Sequence, residues 1–265
     1  MFYSIKELVE QADKDFNGNI AELMIATEME LSGRSRDEII HIMTKNLQVM
    51  KNSVTDGLTP SKSISGLTGG DAVKMDTYLK SGKTLSDTTI LTAVRNAIAV
   101  NELNAKMGLV CATPTAVLTT AIDKLKLSEE EQLNFLFTAG AFGLVIGNNA
   151  SISGAEGGCQ AEVGSASAMS AAALVKAAGG SAFQASQAVA LLSKICLGLS
   201  VTLLQGLLKS HVLNVMLLVQ VLHLWLLTWH LLALNLKFQL TKLLMLCIKL
   251  EQVCQLPFVK LPKVA

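Results

Sequence analysis

Ser128-Glu-Glu-Glu-Gln-Leu-Asn-Phe-Leu-Phe-Thr-Ala-Gly-Ala-Phe-Gly-Leu-Val-Ile146 runs straight into Gly147-Asn-Asn-Ala-Ser-Ile-Ser-Gly-Ala-Glu-Gly-Gly-Cys-Gln-Ala-Glu-Val-Gly164. The first half reads as a helix. Ser128 and Glu131 have the spacing of a capping box, in which the serine hydroxyl accepts an early amide and the glutamate reaches back to the serine N–H. The apolar residues behind it carry the helix to about Ile146. The second half packs glycines, small hydroxyls, Glu156, Glu162 and Cys159 together, and over 148–164 it reads as a polar loop leading into a helix. From Ser165 to Ala178 the chain is so rich in Ala and Ser that the helix must pack closely, and Gly179-Gly180 ends it. Another helix begins at Ser181 and reaches about Leu191.

Outward from this core the pattern is also helical. Ile5 to Ala12 and Ile20 to Leu31 are short amphipathic runs. Ser35-Arg-Asp-Glu38 is a second capping-box sequence, and the helix behind it sets Ile39, Ile40, Met43, Leu47 and Met50 on one face. Thr59 to Asp71 reads as a loop, and Ser86 to Ala105 as a helix with many small residues. Cys111-Ala-Thr-Pro-Thr115 reads as an extended or turn element, because the residue before proline avoids the helical region. No strand alternation appears, so the expected fold class is all-α.

At 265 residues the chain can bury a full core, as one large domain or two small ones. A net charge of +1 makes no global electrostatic case for nucleic acid. Met1-Phe-Tyr-Ser-Ile-Lys-Glu-Leu8 lacks a signal-peptide layout, and five cysteines without CxxC or zinc-like spacing point to a reducing cytoplasm and no disulfide framework.

The average hides a break. From residue 192 there are seven lysines and one acid, while all three arginines and seventeen of the nineteen glycines lie before it. The expected division is therefore 1–191, a helical domain, and 192–265, an aberrant leucine-rich tail. No Asp, Glu, Lys or Arg stands between Ser210 and Leu236, a run longer than the roughly 20 residues that span a bilayer. Asn214, Gln220, His223, Thr228 and His230 are scattered through it on no single face, and each carries a desolvation cost in lipid. A C-terminal membrane anchor on a non-enzymatic helical protein and a disrupted reading frame are both open readings of this tail.

Three polar, glycine-containing segments stand out: Ser65 to Gly70, Thr113 to Thr115, and Asn148 to Gly164. Each is expected between helices, where free N–H groups at helix starts bind anions such as a carboxylate. Singly they read as connecting loops; together they point to a shared pocket for a small polar ligand. Cys159 near a helix start suits a metal or cluster ligand or a nucleophile, and equally a small buried residue. No histidine lies nearby in sequence to serve as its base, and Cys111 reads as a buried core thiol. Glu156 and Glu162 suit acid–base work if partly desolvated, or capping of the next helix.

Ser65-Gly-Leu-Thr-Gly-Gly70, Cys111-Ala-Thr-Pro-Thr115 and Asn148 through Gly164 together resemble the α chain of bacterial iron–sulfur-dependent L-serine dehydratase. The resemblance covers Met1 to about Leu191, and the third motif is long and specific. It implies an all-helical catalytic domain, L-serine as substrate, a separate β chain as partner, and a [4Fe–4S] cluster held by three cysteines with one iron open. The open iron would act as a Lewis acid on the serine hydroxyl while a base removes the α-proton. Loss of water leaves an aminoacrylate, which becomes an imine and then pyruvate and ammonia. By this resemblance Ser65, Gly66, Thr68, Gly69, Thr113, Thr115, Asn148, Ser151 and Ser153 are the substrate-binding residues and Cys159 is the first cluster ligand. The resemblance does not identify the general base.

Two departures bear on activity. Roughly eight residues of the family pattern are missing after Thr115, including a Gly-Ser-Ala-Gly-like segment. The family's other two cluster cysteines fall by position at 201 and 212, where this chain has Val201 and Val212. A cysteine codon followed by G, read one base late, becomes GTG, a valine codon, so the tail resembles the family's own gene in a shifted frame. On that reading its apolar character is accidental, no membrane span is expected, and the chain should hold no cluster and turn nothing over.

Overall fold

A computed structural model describes residues 1–59, 69–84, 87–107, 111–150 and 152–203. Nine α-helices lie within them, with no strand among the described residues: α1 (Ile5–Phe16), α2 (Ile20–Ser32), α3 (Arg36–Gly57), α4 (Asp71–Lys80), α5 (Thr88–Met107), α6 (Ala112–Leu125), α7 (Glu129–Asn149), α8 (Gly154–Ala177) and α9 (Ala182–Leu203). The all-α expectation holds.

Helix starts follow local chemistry. Ser35 and Ser128 both form full capping boxes, with Glu38 and Glu131 returning to the serine N–H. Ser4 and Asn19 cap α1 and α2 through their side-chain oxygens. The serine N–H and then its hydroxyl hold the Glu38 and Glu131 carboxyls below the ordinary glutamate range. A carboxyl depressed in the folded state adds stability that is present above its unfolded value and is lost as pH falls through its folded one. The denaturation midpoint should therefore drop as pH falls below the ordinary glutamate range. Glu38→Gln should flatten part of that slope in urea titrations at stepped pH.

The packing centres on α8, which lies against α6, α7 and α9, while α5 gathers α3, α4 and α6. Ala168, Ala172, Ala185 and Ala188 are all at most 1% exposed, so α8 and α9 meet through small side chains, as the Ala/Ser composition requires. The largest core cluster joins Phe2, Leu8, Ile20, Val100, Ala112, Phe142, Val163 and Leu192. A second joins Leu47 and Met50 of α3 to Leu118, Phe135 and Leu174. The predicted face of α3 is the one used: Ile39, Leu47 and Met50 are buried, and Ile40 and Met43 pack partly.

Four expectations are corrected. Residues 112–115 are the first turn of α6, not an extended or turn element: Pro114 sits where a helix has no use for its N–H, so it neither breaks a bond nor clashes. The loop over 148–164 shrinks, because α7 continues to Asn149 and α8 begins at Gly154. The glycines weaken helix propensity there, but tertiary packing outweighs a cost of about 1 kcal/mol each. Helix α4 begins where the loop from Thr59 was read to end and was not anticipated. Cys111 is exposed, because the residue preceding α6 stands outside the packed turn.

Helix α9 passes without interruption through the compositional break at 191–192, and Leu192 is fully buried in the main cluster. No helix among the described residues is long and apolar enough to cross a membrane. The apolar run 210–236 lies outside the described residues.

Candidate functional site

The three motifs occupy the starts of α4, α6 and α8. Gly69 and Gly70 have φ of 128° and 96°, in the left-handed region that favours glycine, and they swing the chain into α4. A glycine at the N-cap position supplies no side-chain acceptor, and none is made locally. The acceptor comes from α5. The Glu102 carboxylate takes the Gly70 N–H at 3.0 Å, the Asp71 N–H at 2.8 Å and the Ala72 N–H at 3.3 Å. Glu102 is only 8% exposed, and a carboxylate so placed requires such donors. Ser65, Gly66 and Thr68 lie outside the described residues, so of that segment's candidates only Gly69 is placed.

The second motif follows directly. Helix α5 ends at Met107 and α6 starts at Ala112, so the α6 N-terminus lies at the same end of α5 as Glu102 and the α4 amides. Thr113 and Thr115 are 1% and 0% exposed. The Thr115 hydroxyl donates to the Cys111 carbonyl at 2.7 Å and brackets the first turn. Cys111 keeps contact with solvent, yet the protein on its other side disfavours the thiolate and pushes the thiol up to about 11; the Thr113 N–H opposes that shift and the Glu162 carboxylate adds to it.

Helices α6 and α8 pack against each other, which brings the third motif's helix to the second motif's. Ala112 and Val163 also share one core cluster with Val100 of α5. Asn148 is exposed at the end of α7, and Ser153 is exposed just before α8. Ser151 lies outside the described residues. Cys159 is the sixth residue of α8, one turn beyond the free amides rather than among them, and its thiol lies outside the described part of the structure. Glu156 and Glu162 are both exposed, and Glu156 stands in the first turn of α8, where a negative charge suits the helix dipole. Asn149, not singled out in the sequence, fastens this region by donating at 2.8 Å to both the Tyr3 and Val145 carbonyls.

Helix α5 supports both α4 and α6. Arg95 donates to Asp76 of α4 at 2.9 Å, seven residues before Glu102 and thus on the same face two turns away. Asn96 donates to the Thr119 and Thr120 hydroxyls of α6 at 3.0 and 3.3 Å. One helix therefore orients the two helices that follow the first two motifs. The sequence held no signal for this, since Glu102 acts across 31 positions on Asp71.

A polar cavity of about 270 Å³, lined by Asn19, Glu131, Asn134, Thr138 and Lys176 among others, lies elsewhere. Lys176 and Ala177 place it at the far end of α8, about 27 Å along the helix from Cys159. It includes none of the motif residues. Among the described residues no group of three His, Cys, Asp or Glu side chains could hold a metal ion.

The "Serine dehydratase alpha chain" family model matches residues 15–201. A probable L-serine dehydratase alpha chain of Bacillus subtilis (strain 168) is 51% identical over 207 residues, 75% of this chain and 69% of that one. The L-serine dehydratase alpha chain of Peptoniphilus asaccharolyticus is 35% identical over 199 residues, 72% of this chain and 68% of that one. The L-serine dehydratase TdcG of Escherichia coli (strain K12) is 34% identical over 215 residues, 75% of this chain but 46% of that protein. With the family model spanning its helical body and relatives matching most of its length, the chain belongs to the serine dehydratase alpha chain family.

Proposed function

We propose that this chain is the α chain of an L-serine dehydratase that retains the serine-binding half of the site and has lost the cluster-binding half. The observation that carries the reading is that the α4 start is held on α5 by Glu102, α6 packs on that same helix, and α8 packs on α6. Helix N-termini present free N–H groups and positive partial charge, which suit the carboxylate of an amino acid. The Gly70 to Ala72 amides are engaged by Glu102, so recognition by the first motif falls to Ser65, Gly66, Thr68 and Gly69. Thr113 and Thr115, Asn148, Ser151 and Ser153 complete the set. The α-chain names of the relatives make a β chain the expected partner.

The donor set does not fit a three-cysteine [4Fe–4S] cluster. Cys159 is the one matching ligand, and the other two family positions are Val201 and Val212. Losing two of three ligands removes both the cluster and the electrophile that dehydration needs. No step is therefore assigned through it, and the expected behaviour is binding without turnover.

The test is calorimetry of the full chain with L-serine, beside anaerobic incubation with iron and sulfide followed by metal analysis and a pyruvate assay. Heat of binding with no cluster and no pyruvate is expected. A stoichiometric cluster with pyruvate production would overturn the loss of function, and absence of serine binding would overturn the retained half-site.

A further inference from the structure

We propose that Glu102 is a positioning residue for serine binding: its carboxylate, by gathering the Gly70, Asp71 and Ala72 N–H groups, fixes the start of α4 and with it the adjoining Gly69. The inference rests on the serine-binding reading above and adds a residue to it that no motif contains.

Six helices of this chain are capped locally, by Ser4, Asn19, Ser35, Asp87, Ser128 and Ser181. Such a cap starts a helix wherever the chain happens to lie. The α4 start differs in three respects. Its N-cap position is Gly70 at φ 96°, a conformation that disfavours the residues that cap best. Its acceptor is a buried carboxylate imported from another helix, and that carboxylate holds three successive amides where the local caps hold one or two. A remote cap of this kind defines a location, because the α4 start can sit only where α5 presents Glu102. The second tie, Arg95 to Asp76, prevents α4 from pivoting about the first. Since α6 begins just beyond the end of α5, the tie also sets the distance between the first and second motifs.

In Glu102→Gln the side-chain amide keeps one acceptor oxygen and sets an N–H₂ against backbone donors. L-Serine binding by the full chain should weaken about tenfold or more. Glu102→Asp keeps the charge on a shorter arm and should fall between wild type and Gln. Equal affinity in wild type and Glu102→Gln, whatever the change in melting temperature, would make Glu102 a helix cap only and overturn the inference while leaving serine binding intact. If wild type does not bind serine, the functional reading fails and this inference falls with it.

A measurement on wild type stands apart from whether the variants fold. Saturating L-serine should slow hydrogen exchange at residues 70–72 and leave the end of α4, residues 77–80, unchanged. Unchanged exchange at 70–72 would equally overturn the proposal.

Discussion

Gly57→Ala should lower the stability of this protein sharply, and Gly140→Ala should raise it, although both glycines are helical. A methyl group at Gly57 would lie 2.1 Å from the Ala99 carbonyl oxygen and 2.4 Å from its carbon. Those atoms are backbone, so no rotamer change relieves the clash. Either α3 moves off α5 or the end of α3 unwinds. Overpacking costs about 1–3 kcal/mol where side chains can adjust, and a collision with backbone belongs at or beyond the top of that range. Ala99 is fully buried in a small cluster with Ala72 of α4, so displacing α3 also disturbs the helix that Glu102 docks. At Gly140 nothing lies within 4 Å of an added methyl. There the gain in helix propensity is about 0.5–1 kcal/mol. Urea midpoints at unchanged m-value measure both effects, and a stabilising Gly57→Ala would refute the α3–α5 contact.

What the sequence disclosed follows the range of the forces. Ser35 with Glu38 and Ser128 with Glu131 act over three residues, so both capping boxes are visible as spacing and both form. The Ala/Ser run after Ser165 signals close packing because only small side chains let helices approach, and α8 and α9 meet that way. The failures have the same logic. Helix α4 carries no local cap, since its acceptor comes from Glu102 across 31 positions. The start of α6 was misread because the restriction before proline was weighed without the first-turn exemption that Pro114 uses. Gly154 to Gly164 reads as loop by propensity and is helix by packing. For the site, the motif residues were legible and their support was not: Glu102, Arg95, Asn96 and Asn149 belong to no motif and do their work through distant partners.

Phe142→Ala should cost stability and serine affinity together, whereas Phe137→Ala should cost stability alone. Both rings are at most 2% exposed on α7, and removing a buried phenylalanine side chain costs about 3–5 kcal/mol. Against a typical domain stability of about 5–15 kcal/mol, either loss is severe but leaves a folded population in the absence of denaturant. The surroundings differ. Phe142 shares its cluster with Val100 of α5, Ala112 in the first turn of α6 and Val163 of α8. Phe137 packs instead with Ala21, Ile25 and Ile39, beneath α2 and α3. A cavity at the first position lets the motif-bearing helix starts shift relative to one another, and a loss of geometry there is a loss of carboxylate recognition. A cavity at the second loosens a face that carries no motif. Measured below the onset of unfolding, the serine dissociation constant should rise for Phe142→Ala and stay at the wild-type value for Phe137→Ala. Equal affinities at equal stability cost would show that the buried cluster does not set the site, and that the motifs hold their positions by backbone ties alone.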